Sequence, residues 1–191
     1  MKPDQKQTIR KEIRSRRLAL SEADQIESAK ALADQANQIH SIKRANKVAS
    51  YRAFAGEIRT DWLETILTGQ LFLPTITNFK LSQMRFYAAT GETSRSNLGI
   101  MEPDTEGDPM SPDQLELVFV PLVAFRRDGA RLGMGAGFYD RAFEFRADRQ
   151  APKKPLMIGL AHHFQERQEL DPDPWDVPLD VIITDREVIE P

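Results

Sequence analysis

The stretch that most constrains this chain runs from Leu117 to Phe145: LVFVPLVAF, then RRDGARLGMGAGFYDR, then AFEF. The apolar, β-branched run is of strand length and is predicted to be buried. It empties into a turn carrying Gly133, Gly135 and Gly137, after which the chain is predicted to enter a helix. In open α/β folds ligands sit just beyond the carboxyl ends of strands. Glycines there let backbone N–H groups approach an anion, and a helix start adds a favourable partial charge. Arg131 enters the turn as a potential phosphate fork, and Asp140 leaves it as a hard oxygen ligand for a cation such as magnesium. With the aromatic pair Phe138 and Tyr139 between them, the segment reads as a nucleotide-phosphate site.

The competing reading is a strand-to-helix turn that needs glycine only for its geometry. Common nucleotide motifs do not separate the two. No P-loop pattern ending in Gly-Lys-Ser or Gly-Lys-Thr is present, and the spacing is GxGxG rather than the dinucleotide GxGxxG.

The length of 191 residues fits one domain, 1–191, with no repeat, low-complexity tract or linker. The chain has no cysteine, which removes disulfides, thiolate metal sites and cysteine nucleophiles. No apolar run approaches the roughly 20 residues that span a bilayer, and the first residues lack the apolar core of a secretory signal. A cytoplasmic protein without membrane partners is expected. The net charge of -3 gives no general reason to expect nucleic acid.

Taken in order, Lys6, Arg10, Arg14 and Arg17 recur at helical spacing beside Ile9, Ile13 and Leu20. This cationic stripe is read as a solvated face, a nucleic-acid arm or a cover over a nucleotide. Ser21 is expected to cap a second helix reaching about Ile39. Lys47–Tyr51, Leu71–Ile76, Gln83–Tyr87, Pro155–Ala161 and the segment VIIT near the end read as strands. Thr60 is expected to cap a helix with Trp62, Ile66 and Leu67 inward. Glu57 falls between strand and helix, where an isolated glutamate is ordinarily solvated surface. Met84 and Phe86 share one face of their strand, as core residues or as an apolar wall. The residues from Asn97 to Pro112 are expected to be a loop bordering the site, and Arg146 to Lys154 an exposed connection. His162 and His163 point to opposite faces of an extended chain and make a poor metal pair. Strands alternating with helices predict a mostly parallel sheet covered on both faces.

Pro121 with the run Arg131, Leu132, Gly133, Met134, Gly135, Ala136, Gly137, Phe138, Tyr139, Asp140 and Arg141 resembles the signature of the 5-formyltetrahydrofolate cyclo-ligase family. Further matches follow in family order: Lys6, Ile9 and Arg10; Gly56, Glu57 and Ile58; Leu73 and Pro74; Gly99 to Pro103; and Asp176 to Asp180. They span nearly the whole chain. Ala136 departs from the glycine or lysine usual in relatives, which removes one possible phosphate charge and adds a methyl to the turn.

The resemblance implies a three-layer α/β sandwich like that of ribose-phosphate isomerase and CoA-transferase domains. It also implies conversion of 5-formyltetrahydrofolate and ATP to 5,10-methenyltetrahydrofolate, ADP and phosphate, by phosphorylation of the formyl oxygen. Lys6 and Arg10 are implied to contact ATP together with Arg131 to Tyr139, among which Arg131, Tyr139 and Asp140 are placed at the chemistry. Glu57, Met84, Phe86, Met134, Gly135, Ala136, Gly137 and Phe138 are implied to line the folate site. Asp140 and Asp176 are implied to hold Mg2+, with Asp173 and Asp180 as competitors for the second place. The partners are then small molecules, and a monomer is expected. The rival readings are a sugar-phosphate isomerase or transferase, a non-catalytic folate- or nucleotide-binding module, and, on the basic first helix, a nucleic-acid binder.

Overall fold

A computed structural model describes residues 1–89, 93–96, 99–103, 105, 107–147 and 154–191. Its helices are α1 (Pro3–Leu18), α2 (Glu22–Ala36), α3 (His40–Arg44), α4 (Asp61–Glu64) and α5 (Phe138–Ala142). A seven-stranded sheet runs from edge to edge through Val188–Ile189, Val181–Thr184, Leu156–Ala161, Leu117–Pro121, Lys47–Ala49, Gln70–Asn78 and Gln83–Ala88. In chain order these strands are β1 (Lys47–Ala49), β2 (Gln70–Asn78), β3 (Gln83–Ala88), β6 (Leu117–Pro121), β9 (Leu156–Ala161), β10 (Val181–Thr184) and β11 (Val188–Ile189). From β10 across to β2 every pairing is parallel, and only the edge strands β3 and β11 run antiparallel. Two small hairpins complete the fold, β4 (Thr93–Arg95) with β5 (Met101–Pro103) and β7 (Ala124–Phe125) with β8 (Arg131–Leu132).

The two-residue alternation of strands builds the two halves of the core. Leu117 and Phe119 of β6 pack with Leu32, Ala33 and Ala36 of α2 and with Ile42 and Leu63 on one face. Val118 and Val120 of the same strand pack on the other face with Phe86, Phe143, Val177 and Leu179. Helices α2 to α4 therefore cover one face, while α5 and the irregular segment around Val177 cover the other. A third cluster joins Ile9 and Ile13 of α1 to Val123, Ala124 and Leu132 of the β7–β8 hairpin. Thus α1 lies at the carboxyl end of the sheet rather than on a face.

Several local expectations change. The glycine turn does not follow the sheet strand; β6 leads into the β7–β8 hairpin, and the turn leaves β8. The helix after it has five residues, too short for much of a macrodipole. α2 ends at Ala36, not near Ile39. α4 is a single turn, and the Thr60 hydroxyl has the Tyr51 carbonyl and Glu64 Oε1 as acceptors within reach of its one proton rather than capping the helix. Part of the expected loop is the β4–β5 hairpin, while positions 97, 98, 104 and 106 lie outside the described residues. The connection expected from Arg146 to Lys154 falls largely on residues 148–153, also outside them.

Candidate active site

The glycine turn is the wall between two grooves. One, of about 560 Å³, is lined by Lys6, Arg10, Lys80, Asp173, Trp175 and Asp176 among others and is the more polar and charged of the two. The other, of about 410 Å³, is lined by Glu57, Pro74, Ile76, Phe79, Met84, Met134 and Phe138 among others and is largely apolar. Arg131, Gly133, Gly137 and Asp140 belong to both. Gly135 and Gly137 have φ of 102° and 68°, the left-handed region where a side chain is strained. Among the described residues, a methyl on Gly133 or Gly137 would meet nothing within 4 Å beyond its chain neighbours, so their α-carbons face open space.

In the polar groove α1 brings Lys6 and Arg10 one turn apart. Lys6 Nζ pairs with Asp173 Oδ2 at 2.6 Å, and Arg10 Nε donates to the Gly133 carbonyl at 2.9 Å. A Cβ on Gly135 would lie 3.4 Å from the Arg10 guanidinium, so that cation rests against the turn itself. Burial lowers the Arg10 pKa, with Asp173 opposing the shift.

Arg131 is not the open fork expected from sequence. Its side chain is 4% exposed, with one terminal nitrogen donating to the Val177 carbonyl and Nη2 to Asp140 Oδ1 at 2.5 Å. Val177 N–H donates to the same carboxylate oxygen at 3.0 Å. Arg131 thus clamps Asp140 to the segment 173–180, and both terminal nitrogens are engaged before any ligand arrives.

Asp180 drops out of the competition for a cation: Arg146 holds it with two bonds of 2.8 and 2.9 Å, and Met157 N–H donates to it. Asp173 and Asp176 remain, joined by Asp173 N–H donating to Asp176 Oδ2 at 2.8 Å. Burial raises the Asp176 pKa, and the charges of Asp140 and Asp173 push the same way. Among the described residues no three His, Asp or Glu side chains form a cage for an ion. Mg2+ at a polyphosphate needs only one or two carboxylates, the rest of its shell being phosphate and water. Mutually repelling carboxylates beside a cationic groove suit that arrangement.

In the apolar groove Glu57 follows a sharp bend in which Ala55 and Gly56 both have positive φ, 50° and 75°. Its Oε2 accepts the Phe54 N–H at 3.0 Å. Burial pushes the carboxyl up to about 7, against the opposing pull of Arg17 and the Phe54 N–H. Phe138 meets Phe79 edge-on with ring centres 5.7 Å apart. Tyr139 stacks on Phe143 at 6.3 Å, its hydroxyl buried without a partner. Burial and the nearby Glu57 charge raise that phenol's pKa.

Met84 lines this groove, but Phe86 does not. Strand alternation puts both on one face, yet Phe86 lies two residues deeper, fully buried against Phe143 with centroids 5.8 Å apart. It is a core residue. Of the other expected folate contacts, Met134, Ala136, Gly137 and Phe138 line the apolar groove, whereas Gly135 lines the polar one, as does Leu132, an expected ATP contact. Trp175 had not been singled out from sequence, and Arg17, read as one member of the cationic stripe, instead lies buried behind Glu57. Trp175 is 66% exposed and is the aromatic residue of the polar groove among the described residues. A tryptophan in the acidic, proline-punctuated turn DPDPWDVP was the available signal.

A family model described as the 5-formyltetrahydrofolate cyclo-ligase family matches residues 2–185. The chain is 33% identical over 190 residues to a 5-formyltetrahydrofolate cyclo-ligase of Haemophilus influenzae, covering 96% of this chain and 100% of that one. The same enzyme of Escherichia coli is 32% identical over 184 residues, with 93% and 99% covered. The solution structure of Aquifex aeolicus 5,10-methenyltetrahydrofolate synthetase superposes with a TM-score of 0.80 at 30% identity, covering 97% and 92% of the two chains. A 5,10-methenyltetrahydrofolate synthetase from Mycoplasma pneumoniae gives 0.72 at 28% identity, covering 95% and 99%.

Proposed function

The chain belongs to the 5-formyltetrahydrofolate cyclo-ligase family, and from that premise we propose how its two grooves divide the work of making 5,10-methenyltetrahydrofolate. The nucleotide lies in the polar groove with its γ-phosphate at the glycine turn. The pterin lies in the apolar groove with its formyl group against the same turn. The observation that carries this reading is the shared wall: Arg131, Gly133, Gly137 and Asp140 line both grooves. Transfer between two substrates requires them to meet, and this is where they meet.

The formamide oxygen is a poor leaving group, so ring closure by the second folate nitrogen stalls without activation. Attack of that oxygen on the γ-phosphorus expels ADP and leaves an iminium-like phosphate ester. The second nitrogen then adds to the activated carbon, loses its proton, and phosphate departs with the former formyl oxygen. No protein nucleophile is needed, and the protein contributes positioning and charge compensation. Lys6 and Arg10 offset the phosphate charge, and the open α-carbons of Gly133 and Gly137 admit the phosphates to the backbone. Asp140 and Asp176, with Asp173 beside them, would hold Mg2+, which neutralises charge on the β- and γ-phosphates when bound. Arg131 keeps Asp140 in place and contributes its positive charge from behind. Trp175 offers a flat face to the purine base. Glu57 accepts from the pterin amino and ring N–H groups, and Met84 and Phe138 enclose the flat ring. The apolar groove argues against a sugar-phosphate substrate, whose hydroxyls would find few partners there.

The deciding assay follows the ultraviolet absorbance of the methenyl product with purified protein, 5-formyltetrahydrofolate, ATP and magnesium. Product is expected only with all components present, with ADP released in equal amount. Product formed equally well without ATP would overturn the division of labour between the grooves.

A further inference from the structure

Four buried polar atoms without hydrogen-bond partners among the described residues belong to three residues around the Gly56–Glu57 bend: Arg17 Nε and Nη2, Tyr139 Oη and His162 Nε2. Arg17 is the extreme case. It is 1% exposed, and its guanidinium makes a single bond, Nη1 to the Leu122 carbonyl at 3.3 Å. That carbonyl already accepts from Gln165 Nε2 at 2.9 Å. Leaving N–H donors of a buried cation unpaired is unfavourable, and an apolar side chain of equal length would fill the space more cheaply. What position 17 supplies is the charge.

The bend is pressed against that charge. A Cβ on Gly56 would come within 2.8 Å of the Arg17 backbone and Cβ, so only glycine lets the chain turn this closely under α1. Glu57 is the foremost opposite charge acting on Arg17, and Arg17 is the charge acting on Glu57. Other groups facing the bend are the Tyr51 phenol, which donates to the Ile58 carbonyl, the Tyr139 phenol from α5, and His162 beyond β9. Arg14 repels Arg17 along the helix, and Arg52 is already paired with Glu64 at 2.6 Å.

We propose that Arg17 is the positioning residue for Glu57, the buried counter-cation that keeps this carboxylate charged and aimed into the apolar groove. This rests on the reading of Glu57 as the pterin acceptor. A carboxylate can accept two N–H donors, whereas its protonated form turns one oxygen into a donor that clashes with them. Burial favours the protonated form and Arg17 the charged one. Because Arg17 shares α1 with Lys6 and Arg10, the helix that closes the phosphate end also fixes the charge at the pterin end, roughly 16 Å along its axis.

The test is the pH dependence of kcat/KM for 5-formyltetrahydrofolate at saturating ATP, in the wild type, Arg17→Lys, Arg17→Met and Glu57→Gln, each checked for cooperative melting. The wild type is expected to lose efficiency on the acid side of about 7, where the Glu57 carboxyl takes up its proton. Arg17→Met should move that limb at least one pH unit upward, costing at least about fivefold at neutral pH, recovering at pH 9, and leaving KM for ATP unchanged. Arg17→Lys should leave the limb in place. An unmoved limb in Arg17→Met overturns the proposal. Glu57→Gln with wild-type efficiency at every pH instead overturns the role of Glu57 itself. Should Arg17→Met fail to fold, the carbon-13 titration of the Glu57 carboxyl in Arg17→Gln against Arg17→Lys decides, and identical midpoints count against Arg17.

Discussion

Arg131 Nη2 lies 2.5 Å from Asp140 Oδ1, and that oxygen also accepts the Val177 N–H at 3.0 Å. A cation, a carboxylate and a backbone amide from three separated segments thus fix the position of one groove-facing carboxylate. Arg131→Ala should lower stability by about 3 kcal/mol, because it strands Asp140 and the Val177 carbonyl. It should also lower kcat/KM at least tenfold. Arg131→Lys should rescue little, since one ammonium cannot reproduce the two-pronged grip. Thermal melts and steady-state rates test both statements, and a lysine variant with wild-type values would refute the clamp.

Asp140→Asn keeps an acceptor for Arg131 and Val177 but removes the charge. Its folded stability should change little while the magnesium concentration for half-maximal rate rises about tenfold or more. An unchanged metal titration would take Asp140 out of the ion's shell.

Glu57 titrates at about 7 when folded against 4.5 as an ordinary carboxyl. Between those values the folded chain holds a proton that the unfolded chain has released. The contribution to stability is therefore complete below about 4.5 and is lost as pH rises through 7, a swing on the order of 3 kcal/mol. Urea unfolding from pH 4.5 to 8 should show a steeper decline for the wild type than for Glu57→Gln. Parallel curves would mean that the carboxyl is not raised.

Gly133 and Gly137 both face open space, but only Gly137 has positive φ. Gly137→Ala should reduce stability by about 1 kcal/mol and also raise KM for ATP, whereas Gly133→Ala should raise KM at nearly unchanged stability. Equal melting losses in the two would show that backbone strain does not distinguish them.

The chain has two tryptophans, and Trp62 lies away from the grooves beneath Lys30 and Arg59. Quenching by ATP therefore reports on Trp175. ATP should quench the emission of a Trp62→Phe variant, while tripolyphosphate should not, and Trp175→Ala should raise KM for ATP about tenfold. Equal quenching by both ligands would exclude contact with the base.

The layered sheet was legible because an apolar run of strand length is a local signal: Leu117 to Val120 are apolar at every position, as a strand covered on both faces requires. The glycine turn and the one-turn spacing of Lys6 and Arg10 are equally local, while the assignment of that pair to a nucleotide came from the family resemblance alone. Arg131 was misread because one of its partners, the Val177 carbonyl, lies 46 residues away and is placed there only by packing. Phe86, open from alternation as core or wall and assigned to the folate site by the resemblance, is core, because alternation reports the face of a strand and not how far along it a groove extends. Arg17 looked like one more member of a solvated stripe, since its burial depends on the bend at Gly56 lying against it.

The partition built by residues 131–140 limits how this scaffold can be retuned. Any change there alters the fit of both reactants together, so a shift toward a different cargo has to be sought in Pro74, Ile76 and Met84 on β2 and β3, which touch only one of them. Those strand positions are where libraries for altered pterin preference should be built, with the nucleotide side left as it stands.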